Sequence, residues 1–198
     1  RQLFLVYTTF STLLLLGIPQ SILYFLPKAS DSTDQKRLIS QTLHFITILS
    51  VLFTIALFSF RIPISRLFHN PALSTLLIIY AVYPLFIFVT QVYSSVMLGM
   101  QNTQKVAKFT IFAVSSDAII IIGVALLTKS LVYIVSAVVI SALVQYTYAQ
   151  FQLRTYKEPF VIDKEEIKSI LKYSIPLGLS SIIGMLSIQL DKFVISGY

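Results

Sequence analysis

Two places in the chain put ionisable side chains where almost nothing around them is polar. Asp117 stands in FAVSSDAIIIIGV, residues 112–124, and Asp191 with Lys192 stand in SIQLDKFVISGY, residues 187–198. A carboxylate in apolar surroundings can take up a proton or a small cation, and a lysine can neutralise it or meet an anion. Such groups tend to face a bundle interior or a water-filled path, because a charge at the bilayer centre costs about 2.5–3.5 kcal/mol on insertion scales. The competing reading is structural. Asp117 would then be protonated, or tied to Ser115, Ser116 or a polar group on another helix, and Asp191 and Lys192 would be an interfacial pair with the lysine snorkelling outward. Gln20, Gln91, Gln145 and Gln189 add uncharged polar groups within apolar runs. They could line a sugar-binding cavity or join helices by hydrogen bonds.

Other chemistries find no residues to perform them. The absence of cysteine excludes disulfides, thiolate metal sites and cysteine nucleophiles. His44 and His69 stand far apart, without an acidic or histidine partner at ligand spacing, so no metal site is expected. No phosphate-cradling loop, nucleophile elbow or pair of catalytic acids is present, so no catalytic residue and no cofactor is assigned.

The elements that must position these groups are dictated by composition. Of 198 residues, 56% are hydrophobic and only 12% are charged, and mean hydropathy is +0.83. A soluble domain carries charge on about a quarter of its residues, so this is the composition of a membrane protein. A helix needs about 20 mostly apolar residues to cross the hydrocarbon core. Six stretches meet or approach that, at about 3–26, 42–60, 72–99, 109–128, 131–149 and 173–195. Runs such as LVYIVSAVVISALV, residues 131–144, are apolar at successive positions, unlike the alternating ten-residue strands of a barrel. The expected fold class is therefore all-α, a polytopic helical membrane protein with six transmembrane helices.

Formal net charge is +7, and its distribution argues for topology rather than for nucleic acid as a partner. Alternate connections carry Lys28, Lys36 and Arg37, then Lys105 and Lys108, then Arg154, Lys157, Lys164, Lys168 and Lys172. The opposite connections carry Arg61, Arg66 and Lys129. Ten basic residues against three place the first set in the cytoplasm. Asp117 falls nine residues into a twenty-residue span, near mid-membrane. For a last span starting at Tyr173, eighteen residues of helix put Asp191 about 27 Å from the cytoplasmic edge.

Residues 150–172 form the one long connection. Within IDKEEIKSILKY, residues 162–173, Asp163 can cap a helix, Glu166 can reach back, and Ile162 with Ile167 can staple the turn. Ile167, Ile170 and Leu171 lie opposite Lys164, Glu165, Lys168 and Lys172, which fits either a short helix on the membrane face or an extension of the last span. Gly17, Pro19, Pro84, Gly123, Pro176, Gly178 and Gly184 interrupt four spans and mark expected kinks.

A family likeness adds to this reading. GIPQSILYFLPK at 17–28 followed by RLISQTL at 37–43, LGMQNTQKVAKF at 98–109 and YSIPLGLSSIIGMLSIQLDKFVIS at 173–196 resemble bacterial polysaccharide-export flippases. These belong to the multidrug, oligosaccharidyl-lipid and polysaccharide exporter superfamily. The resemblance implies two six-helix bundles around a cavity open alternately to each side, of which this chain would be a fragment covering about helices two to seven. Residues 1–150 would form the N-terminal bundle without its first helix, 151–172 a cytoplasmic amphipathic linker, and 173–198 the first helix of the second bundle.

The resemblance further implies a multi-pass protein of the bacterial inner (plasma) membrane that is not an enzyme. Its partners would be membrane lipid, a polyprenyl-diphosphate-linked oligosaccharide as cargo, and a coupling proton or sodium ion. It ranks Asp191 and Lys192 first among cavity candidates and Asp117 second, beside Gln189, Gln20 and Gln91. The chain departs from better-defined relatives in lacking a cluster of intramembrane arginines to meet the diphosphate. The alternatives are a cation-coupled multidrug exporter of the same superfamily, a membrane glycan polymerase or ligase, and a membrane scaffold.

Overall fold

The computed structural model describes residues 17–156, 158, 159 and 163–197, together with Leu3, Tyr7, Ser11 and Leu15; side chains are described to position 184, except that of Ile182. Its helices are α1 (Ile18–Phe25), α2 (Ser32–Leu67), α3 (Pro71–Tyr80), α4 (Tyr83–Gly99), α5 (Thr103–Asp117), α6 (Gly123–Thr128), α7 (Leu131–Leu153) and α8 (Lys164–Gly197). No strand occurs among the described residues, and the protein is an all-α helical membrane protein. Ser32–Leu67, Thr103–Thr128 and Leu131–Tyr156 are each long and apolar enough to cross a bilayer, and the bent pair Pro71–Tyr80 and Tyr83–Gly99 is so when its two helices are taken together. These four correspond to the middle spans expected from sequence. Of the first, 3–26, the described residues are 17–26 with Leu3, Tyr7, Ser11 and Leu15.

The helices start and stop where their chemistry requires. Asp31 caps α2 by accepting hydrogen bonds from the backbone of Thr33 at 2.9 Å and Asp34 at 2.8 Å, and Asn102 caps α5 through Lys105 N–H at 3.1 Å. The expected kink at Pro84 is a 50° bend at Ala81 and Val82. Proline has no N–H to give to the preceding turn, and here it opens α4, where that donor has no helical partner to lose. Gly17 breaks the first span, adopting φ 73°, with Pro19 in the opening turn of α1.

Buried aromatic side chains fill the core between α2, α3 and α4. Tyr80 and Tyr83 stack at 4.7 Å, Tyr7 meets Tyr83 edge-on at 5.1 Å, and Phe53 stacks on Phe88 at 5.8 Å. A second cluster, with Tyr93 on Phe109 at 4.9 Å and Phe112 on Tyr148 at 4.8 Å, joins α4, α5 and α7. Such pairs contribute about 0.5–1.5 kcal/mol each beyond the area they bury.

The long connection is shorter than expected, because helix consumes it from both sides. A 3-10 turn, Arg154–Tyr156, extends α7, and α8 begins at Lys164 and runs without interruption through Pro176. The amphipathic segment is thus an extension of the last span rather than a separate helix on the membrane face.

Asp163 caps α8 as expected, accepting from the backbone of Glu165 at 2.9 Å and Glu166 at 3.3 Å. The reciprocal half of the capping box is replaced. The Asp163 N–H donates to Gln41 Oε1 at 3.2 Å, and the Glu166 carboxylate turns to Arg37 Nε at 3.3 Å. Arg37 also pairs with Asp163, so α2 supplies a cation that outcompetes the local return bond. The expected staple partner Ile162 lies outside the described residues.

The two carboxylates respond oppositely to pH. Backbone hydrogen bonds from Glu166 and Glu165, then the Arg37 charge, hold Asp163 below its ordinary 3.8. Burial lifts Glu166 above its ordinary 4.5, and Arg37 only partly opposes this. Stability from Asp163 is therefore present above pH 3.8 and lost as pH falls through its lowered folded value. Ionising Glu166 works against the fold, so stability falls as pH rises from 4.5 through its raised value. Melting of the protein in detergent at neutral pH is expected to drop for Asp163→Ala and to hold or rise for Glu166→Gln. Equal losses in the two variants would contradict the assignment.

Candidate functional site

Asp117 is the last residue of α5, and a single π turn, Ala118–Ile122, follows it before α6. A π turn takes one extra residue and shifts helix register at that point, a device frequent at functional sites. The turn and the helix after it expose greasy side chains: Ile119 is 74% exposed and Leu127 is 86% exposed. Asp117 itself is half-buried and faces α7.

Its partners are Ser141 and Gln145. Ser141 Oγ donates to Asp117 Oδ1 at 2.5 Å and Gln145 Nε2 donates to the same oxygen at 2.9 Å. Gln145 Nε2 also lies 3.3 Å from Ser141 Oγ, which closes a three-residue network. Both donors are buried. They sit four apart on α7, one helical turn, so they stack on one face and converge on one acceptor. Among the described residues the second carboxylate oxygen, Oδ2, accepts no hydrogen bond. That oxygen is the one free to bind a proton or a cation. Tyr83 lies within electrostatic reach of the carboxylate and continues into the buried aromatic stack.

Among the tethers considered for Asp117, the polar group on another helix is the one found, whereas Ser116 turns back to the Ala113 carbonyl at 2.8 Å. Sequence reasoning counted Gln145 among the polar residues but did not join it to Asp117, and it missed Ser141. The signal was available: in a hairpin turning at Lys129, residues equally far from the turn share a height, and Asp117 and Ser141 each lie twelve residues from it.

Gln20 and Gln91 are not drawn into this network. Gln20 is exposed on α1 and Gln91 is half-buried on α4. Gln189, Asp191 and Lys192 belong to α8, and their side chains lie outside those described.

The three basic connections meet at one end of the molecule. Ser40 of α2 accepts from Glu158 N–H at 3.1 Å, Arg37 holds Asp163, and Gly99 packs against Leu26. The charge asymmetry expected from sequence is thereby gathered on one face.

A family described as polysaccharide biosynthesis protein matches residues 2–198. No curated protein and no solved structure matches the chain.

Proposed function

Because the chain belongs to the polysaccharide biosynthesis protein family, we propose that it is a transporter, not an enzyme, that flips a polyprenyl-diphosphate-linked oligosaccharide across the membrane. The family supplies the substrate class, a lipid-linked precursor of polysaccharide. The observation that supports transport is a half-buried carboxylate at mid-span, placed immediately before a π turn and, among the described residues, bonded on one oxygen only. A purely structural aspartate would gain by being bonded on both oxygens. Here one oxygen is fixed and the other is available, which suits a group that loads and unloads a proton or sodium ion as two bundles rock.

In this reading Asp117 carries the coupling ion, while Asp191 and Lys192 on α8, with Gln189, Gln20 and Gln91, border the cargo path. The basic face lies in the cytoplasm of a bacterial cell, where the lipid-linked precursor is built. Hydrolysis or polymerisation of the glycan would require a constellation of acid and base groups that the chain does not carry.

Deleting the gene tests this. The expected outcome is loss of surface polysaccharide together with build-up of the lipid-linked oligosaccharide on the inner leaflet. Normal surface polysaccharide accompanied by retention of a cationic dye would replace the flippase with the drug-exporter reading.

A further inference from the structure

The face of α8 that carries its lysines borders an apolar groove against α2. Phe45 and Ile48 of α2 form one wall, and Ile167, Leu171 and Ile175 of α8, beside its lysines rather than opposite them as expected from sequence, form the other, around a volume of about 580 Å³. Lys164, Lys168 and Lys172 rim it. Spaced by four, they form one row about 12 Å long at 1.5 Å per residue. All three are exposed, and among the described residues none makes an ion pair, since the nearby carboxylates Asp163 and Glu166 are taken by Arg37. Glu165, on the same turn as Lys164, is not part of the lining.

Greasy walls below a row of unpaired ammonium groups ask for an occupant with an apolar chain and an anionic head. A further helix of the protein would fill the walls and leave the lysines uncompensated, whereas a phosphatidylcholine brings no net charge. We propose that this groove is a binding site for an anionic phospholipid of the cytoplasmic leaflet. One acyl chain lies between Ile48 and Leu171, and the headgroup phosphate lies on Lys164, Lys168 and Lys172. Basic pockets between membrane helices on the cytoplasmic side hold anionic headgroups by this combination. Because the groove joins α2 to α8, a lipid seated there bridges the first bundle and the helix that follows it.

The site concerns membrane lipid and not cargo, so its failure and that of the flippase reading are separable. The full-length protein would be purified in neutral detergent and offered phosphatidylglycerol, phosphatidylcholine and a polyprenyl diphosphate, and bound lipid counted by native mass spectrometry. Phosphatidylglycerol is expected to be retained over phosphatidylcholine, with retention weakening as salt rises. Each lysine near an anionic surface contributes about fivefold in affinity, so the triple variant Lys164→Gln, Lys168→Gln, Lys172→Gln should lose roughly 100-fold.

Leu171→Trp, which fills the groove and leaves every charge in place, should also expel the lipid. Equal retention of the two phospholipids by the unaltered protein overturns the proposal without recourse to any variant. So does displacement of phosphatidylglycerol by one equivalent of polyprenyl diphosphate, which would make the groove a cargo site. Cross-linking of a photoreactive residue at position 48 to a segment of the protein other than α8 would overturn it as well, by showing the groove already filled.

Discussion

Asp117→Asn is expected to abolish surface polysaccharide, or cut it by roughly tenfold or more, while the protein accumulates and melts as before. The substitution separates two roles. Asparagine keeps a carbonyl oxygen where Oδ1 stands, so Ser141 and Gln145 retain their acceptor. What it cannot do is exchange a proton or hold a cation at mid-membrane. If Asp117 serves only to tie α5 to α7, the amide serves as well and polysaccharide stays at the wild-type level. That result would remove the coupling role.

The converse substitution removes the bonding and keeps the charge. Ser141→Ala deletes one donor, leaving Gln145 to hold the carboxylate alone. Interhelical hydrogen bonds in membranes average about 0.6 kcal/mol and reach about 1.7, so the melting temperature should fall modestly. Transport should survive in Ser141→Ala and fail in Asp117→Asn, an ordering opposite to that of their stabilities. A structural role would make the two orders agree.

Much of the architecture follows from local chemistry that a sequence displays. Apolar length sets the crossings, Pro84 sets the bend in the third, and Asp163 sets the start of α8. What sequence does not display is which distant residue arrives opposite. Arg37 reaches Asp163 across 126 positions and dismantles half of a locally sound capping box. The π turn is hidden for another reason: in AIIII every residue is equally apolar, so a register shift changes no pattern. The site was half legible, since the need of Asp117 for a partner follows from its depth, while the identity of the partner required folding the hairpin about Lys129.

Gly17→Ala is expected to destabilise the protein by about 2–4 kcal/mol, the larger part of it steric. At φ +73° an L-residue meets its own carbonyl at a cost of about 1–2 kcal/mol. A Cβ there would also stand 2.9 Å from the Ser174 carbonyl oxygen and 3.1 Å from Gly178 N. Both are backbone atoms, so no rotamer change relieves the clash and α8 must move away from α1. That movement pulls on the stack of Tyr24 on Tyr173, whose rings lie 4.3 Å apart, and an aromatic pair of this kind contributes about 0.5–1.5 kcal/mol. Gly123→Ala supplies the contrast, because its Cβ would meet nothing within 4 Å and its backbone is already helical. An alanine there should stabilise by up to about 1 kcal/mol through helix propensity. Thermal melting of both variants in detergent therefore separates a close approach of two helices from a mere loss of flexibility. A Gly17→Ala variant that melts at or above the wild-type temperature would show that α1 and α8 do not meet at Gly17.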